Sequence, residues 1–156
     1  MVSMKNNITN LGEVDVVYRY TDTLNDRPEI KTAEDAIVIF KQLFNAEKLG
    51  LQEQFVAVYL NRCNKVIGTS NLFTGGVSGT VVDMKILLSV GLKLMASSIL
   101  VSHNHPSGNL QPSEADIKLT KKIVQALECL DMTLLDHLII SPEFKYLSFA
   151  NEGLLS

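Results

Sequence analysis

The stretch from Val101 to Asp116 holds two of the chain's three histidines, two of its four prolines and a well-spaced aspartate. Ser98-Ile99-Leu100-Val101 leads into it, short and apolar, and reads as a buried strand. On an extended backbone, residues two apart point to the same face, so His103 and His105 present their imidazoles together. Pro106 has no N–H to give and ends the ladder. Ser107-Gly108-Asn109 is turn chemistry. Ser113 then opens a helix, with Asp116 in its first turn. Two imidazoles and a carboxylate converging at a strand end suit a divalent metal of the zinc type. Three protein ligands leave a fourth position open, the arrangement of a catalytic site and not of a closed structural one. Each piece also has a plainer reading. His-x-His alone is a weak pattern, and Ser113-x-x-Asp116 is a capping box with Asp in place of Glu. Capping and ligation are compatible, because Ser113 can cap while Asp116 turns inward.

Taken together, His103-x-His105-Pro106 and Ser113-x-x-Asp116 resemble the JAMM (MPN+/JAB) metalloprotease motif. The longer run His103-Asn104-His105-Pro106-Ser107-Gly108, with Pro112-Ser113 and Asp116, is similar to the RadC branch of that superfamily. Leu135-Asp136-His137-Leu138-Ile139-Ile140 and Tyr146-x-Ser148-Phe149 carry the same likeness, which extends roughly from Thr32 to Leu155. The resemblance implies a JAB/MPN-like α/β sandwich, with residues 31–156 as the RadC-like JAB domain and residues 1–30 as an N-terminal extension. It implies Zn2+ held by His103, His105 and Asp116, and hydrolysis of a peptide or isopeptide bond. It also implies an upstream glutamate, near the start of a strand, that carries protons without binding the metal. Leu51-Gln52-Glu53-Gln54-Phe55 matches that place, which makes Glu53 the candidate. The residues alone do not separate Glu53 from Glu47, and a solvated glutamate at a strand end is the plainer reading. Ser113 matches the residue that steadies the oxyanion in JAMM enzymes. Its plainer role is an N-cap contributing ~1 kcal/mol to folding, and one hydroxyl does not readily fill both posts in one conformation.

Composition bounds the rest. A chain of 156 residues with 46% hydrophobic content is expected to form one domain with a single core. A net charge of −3 and a pI near 5.6 lack the broad basic surface of a phosphate-neutralising DNA binder. Many RadC-type proteins carry a helix-hairpin-helix region ahead of the JAB domain. The first 30 residues are too few for it and contain no Gly-x-Gly hairpin, so only weak nucleic-acid affinity is expected. Cys63 and Cys129 stand far apart with no CxxC, and read as reduced thiols of a cytoplasmic protein. No apolar run reaches the ~18 residues of a membrane span. The polar start, with Lys5-Asn6-Asn7, is not that of a signal peptide.

The elements that must position the site follow from periodicity. Val14 to Tyr20 is a possible strand. Thr32 caps a helix from Ala33 to Glu47, with Ala36, Ile37, Phe40, Leu43 and Phe44 at helical spacing. Glu53 to Leu60 is apolar on both faces and reads as a central strand. It is joined by a turn at Asn61 to Lys65 to a second strand from Val66 to Phe73. A helix from Asp83 to Met95, with Gly91 as its weak point, precedes the metal strand. Glu114 to Leu130 is helical, and strands follow at Leu134 to Ile140 and Tyr146 to Phe149. This order gives an α/β sandwich, a mixed β-sheet flanked by helices.

His137, inside an apolar strand, reads as a core histidine with satisfied hydrogen bonds and not as a ligand. Lys85, Lys118, Lys121 and Lys122 read as solvated helix faces. The letters of His103-Asn104-His105 spell HNH, but the nucleases of that name draw these residues from separated positions. A zinc deaminase requires a Pro-Cys-x-x-Cys partner, which is absent. Two functions remain: a zinc-dependent peptidase acting on a peptide or protein substrate, and a RadC-like accessory in DNA repair or mobile-element biology without proteolysis.

Overall fold

The computed structural model describes residues 22–75 and 82–156; the possible strand at Val14 to Tyr20 lies outside them. Among the described residues, five strands form one mixed sheet. They are β1 (Glu53–Leu60), β2 (Val66–Gly75), β3 (Ser98–Asn104), β4 (Thr133–Ile140) and β5 (Tyr146–Ser148), in the order β2-β1-β3-β4-β5. Three helices, α1 (Ala33–Leu43), α2 (Met84–Lys93) and α3 (Glu114–Glu128), flank it. This is the expected α/β sandwich.

β1 pairs antiparallel with both β2 and β3, which makes it an interior strand, as its two apolar faces foretold. β3 and β4 run parallel. Parallel neighbours need a crossover connection, and α3 supplies it. β1 and β3 send alternate residues to opposite layers. Phe55, Ala57, Tyr59, Ile99 and Val101 pack with Leu87 of α2 and with Ile123 and Leu127 of α3. Val56, Val58, Leu60 and Leu100 pack with Ala36, Ile37 and Phe40 of α1. Odd-numbered residues of β3 therefore face α3, and even-numbered ones face the α1 layer. That parity decides where His103 and Asn104 go.

α1 begins at a capping box in which Thr32 and Asp35 satisfy each other's backbone N–H. It stops at Leu43, four residues short of the expected Glu47, because the backbone at Asn45 is claimed from elsewhere. The Gln54 side chain accepts from the Asn45 N–H at 2.9 Å and donates to the Asn45 carbonyl at 3.1 Å. The Asn45 side chain in turn caps a short 3-10 turn at Ala46–Lys48. The residues before β1 are thus tied to β1 itself. No helix among the described residues is long and apolar enough to cross a membrane.

Candidate metal centre

β3 delivers His103 into the interior, where it is 1% exposed. Its ring stacks on Phe55, its partner residue across β1, with centroids 5.8 Å apart and planes at 7°. The backbone stays in step with β4 for one residue beyond the strand, since His105 N–H donates to the Ile140 carbonyl at 2.9 Å. His105 therefore keeps the side-chain direction of His103. The chain then turns: Gly108 N–H donates back to the His105 carbonyl at 2.9 Å, with Gly108 at φ +80°, a left-handed conformation that favours glycine. The turn returns α3 to the strand end, with Ser113 as its cap and Asp116 directed inward.

Ligand-type atoms of three residues meet there. His103 Nε2 lies 3.0 Å from His105 Nε2 and 3.2 Å from Asp116 Oδ1, and His105 Nε2 lies 3.5 Å from Asp116 Oδ2. Among the described residues, these form the one cluster of three or more His, Cys, Asp or Glu side chains with ligand atoms so close. Ligands ~2.0–2.1 Å from a tetrahedral zinc stand ~3.3 Å apart, so the spacing fits a shared cation. The donor chemistry fits as well. His105 Nδ1 lies 2.6 Å from the Asn109 carbonyl, which can only accept, so Nδ1 carries the hydrogen and Nε2 is the coordinating nitrogen. Asp116 Oδ2 is occupied by the Ser113 N–H at 2.7 Å and the Ser113 O–H at 2.6 Å, leaving Oδ1 toward His103.

The charges reinforce one another. Burial pushes the Asp116 carboxyl upward, but hydrogen bonds from His103 and His105, the charge on His103 and the Ser113 bond outweigh it. Asp116 is held well below the usual carboxylate range. The bond to Asp116 raises His105 against the effect of its burial, helped by the Asn109 carbonyl and by the charges on Asp116 and Glu53.

Glu53 opens β1 and joins Phe55, His103, His105, Ser113 and Asp116 in lining a cavity of about 180 Å³. A larger recess of about 410 Å³ shares Glu53, His105 and Ser113 and adds Leu51, Pro106 and Gln111. Glu47 is exposed on the 3-10 turn and lines neither. Ser113 fills the N-cap post and lines the cavity. Its Oγ accepts from Asp116 N–H at 3.1 Å as the N-cap, and it stands on the cavity wall with its hydrogen on the Asp116 carboxylate. Lys85, Lys118, Lys121 and Lys122 are exposed and line neither cavity.

Two features were not read from the sequence. Asn104, between the two histidines, faces the other layer and is fully buried. It donates to the carbonyls of Leu49 at 2.8 Å and Gln52 at 3.0 Å and accepts from the Gln54 N–H at 2.7 Å. It therefore holds the loop that carries Glu53. A polar side chain in a strand buried on both faces must find partners, and that signal was available. His137 is a fully buried core histidine with its hydrogen bonds made, as expected, but one partner is His103 Nδ1 at 2.7 Å.

Residues 30–154 match the model of the RadC-like JAB domain family. A UPF0758 protein of Flavobacterium johnsoniae is 43% identical over 126 residues, covering 81% of this chain and 53% of that protein. One from Porphyromonas gingivalis is 44% identical over 104 residues, covering 67% and 46%. The UPF0758 protein YfjY of Escherichia coli K12 is 40% identical over 104 residues, covering 67% and 64%. The chain spans about half the length of most of the curated relatives it matches. With a mixed sheet between helical layers and a His-His-Asp cluster at the end of β3, the chain belongs to the RadC-like JAB domain family, consistent with the JAMM/MPN+ superfamily.

Proposed function

We propose that this chain is a zinc-dependent hydrolase of the JAMM type, acting on a peptide or isopeptide bond in a peptide or protein substrate. The observation that carries the reading is the convergence of His103, His105, Asp116 and Glu53 on one small cavity that adjoins a larger recess. Two imidazoles and one carboxylate are a ligand set of zinc hydrolases. A metal held there supplies Lewis acidity toward a carbonyl and lowers the pKa of water to ~7.

The remaining work falls to the chain. Glu53, on the wall of the same cavity, takes a proton from the attacking water and passes it to the leaving amine, a step worth ~100- to 10,000-fold. Ser113 can turn its O–H from Asp116 to a developing oxyanion, because the Ser113 N–H at 2.7 Å still holds Oδ2. A donor of that kind contributes ~3 kcal/mol to lowering the barrier. Phe55 forms an apolar wall beside the cavity, and the larger recess has room for residues flanking the bond. The free, exposed Cys63 and Cys129 support a reducing, cytoplasmic setting.

The test is Glu53→Gln in a screen of peptide and isopeptide substrates. The variant keeps its zinc and its fold and loses hydrolysis; full activity in it would end the assignment. The RadC resemblance implies a second reading, an accessory of DNA repair or mobile elements that acts by association. The net charge of −3 speaks against direct DNA contact, and submicromolar, steeply salt-dependent DNA binding would favour this second reading instead.

A further inference from the structure

We propose that His137, with Thr120 behind it, is the positioning residue that locks His103 into the tautomer able to bind metal. This inference rests on the metal-centre reading above. It follows from a chain of hydrogen bonds whose directions are forced one after another.

Thr120 Oγ1 lies 2.7 Å from the Asp116 carbonyl. A carbonyl only accepts, so the threonine hydrogen points to it. A hydroxyl has one hydrogen, so toward His137 Nδ1, also at 2.7 Å, Thr120 must accept. His137 Nδ1 therefore carries a hydrogen. His137 is fully buried, pressed between Phe149, stacked at 4.7 Å, and the edge contact of Phe55 at 5.6 Å. A charged imidazole is costly in that setting, so its second nitrogen, Nε2, holds a lone pair. That lone pair faces His103 Nδ1 at 2.7 Å, so His103 Nδ1 is the donor. His103 Nε2 is then the nitrogen left for a metal, and it is the atom 3.0 Å from His105 Nε2 and 3.2 Å from Asp116 Oδ1.

The chain begins on the backbone of one ligand residue, Asp116, and ends on the ring of another, His103. It ties α3 to β4 and β4 to β3, so one network sets the separation of two ligands as well as the tautomer of one. Partners of this type fix ring orientation and ligand basicity, and their loss typically costs ~10- to 100-fold in metal affinity.

The experiment is zinc affinity, measured by competition with a chromophoric chelator, on the wild type, His137→Phe, His137→Gln, Thr120→Val and Thr120→Ser. It is paired with nitrogen NMR of the imidazoles in the metal-free wild type at pH ~8, where exposed imidazoles are neutral. Folded His137→Phe should bind zinc ~10- to 100-fold more weakly. His137→Gln, whose amide oxygen can accept from His103, should recover most of that loss. Thr120→Val should weaken binding and Thr120→Ser should not. Wild-type affinity in folded His137→Phe would overturn the proposal. If His137→Phe does not fold, the NMR decides: hydrogen on His103 Nδ1 supports the relay, and a His103 Nδ1 without hydrogen overturns it. A wild type that binds no zinc defeats the metal-centre reading alone, because the NMR still reads the tautomer.

Discussion

Replacing Asn104 with alanine should damage the protein out of proportion to the small volume removed. Asn104 is fully buried and makes three hydrogen bonds to backbone groups of the loop leading into β1. Two of these, to the Leu49 carbonyl and from the Gln54 N–H, are buried, and the third, to the Gln52 carbonyl, is partly so. A buried backbone group left without a partner costs ~1–3 kcal/mol. Two such groups, with a smaller contribution from the third, give a loss of about 3–6 kcal/mol. Domains of this kind have ~5–15 kcal/mol in total, and a typical urea slope is ~1–3 kcal/mol/M. A midpoint shift of about 2 M urea is therefore expected. The loss has a functional face, because the freed loop carries Glu53 while the metal ligands lie on β3 and α3. Zinc binding should persist in the folded fraction while hydrolysis falls. Equilibrium urea unfolding, zinc titration and cleavage assays on one preparation separate these effects. A destabilisation below ~1 kcal/mol, or hydrolysis unchanged in the folded variant, would refute the assignment of Asn104 as the clamp on the Glu53 loop.

Chelation should leave the protein folded, because β3 and α3, which position the ligands, are already packed in the core; zinc then adds stability by mass action. Circular dichroism before and after chelator checks this, and outright unfolding would mark a structural metal site. Zinc affinity should fall with acid. The bond to Asp116 raises His105 above its ordinary 6.5, and a cation must displace that proton, so affinity drops about tenfold per pH unit below the raised value. In the metal-free protein the sign is opposite: the His105–Asp116 contribution to folding is complete below the unfolded pKa and is lost as pH rises through the folded one. Chelator competition and metal-free unfolding across the same pH range test both signs, and parallel trends would contradict them.

Much of this architecture was legible because β-strand burial leaves a local mark. Glu53 to Leu60, apolar on both faces, could only be a central strand, and its observed ends coincide with those read from the sequence. The helix beginning at Thr32 was legible at its start, where Thr32 and Asp35 close a box within four residues, and not at its end. Leu43 and Phe44 continue the apolar stripe, while the side chain that stops the helix, Gln54, lies nine residues beyond Asn45. The cluster of His103, His105 and Asp116 was legible because strand parity, a turn and an N-cap are local devices. The choice between Glu53 and Glu47 was not, since it depends on β1 lying antiparallel to β3 with Phe55 opposite His103. His137 was read correctly as a buried, satisfied core residue. That its partner is a ligand histidine follows only from the parallel pairing of β3 with β4, and single-strand patterns do not carry that information.

The central claim is that His103, His105 and Asp116 hold one catalytic metal ion. It is tested most directly by elemental analysis of the protein purified without added metal, beside His105→Ala prepared identically. The account predicts about one zinc per chain in the wild type, as for three-ligand catalytic sites, and no stoichiometric zinc in His105→Ala with its fold intact. Zinc at wild-type occupancy in His105→Ala, or a wild type that takes up no divalent metal even when it is supplied, would contradict it.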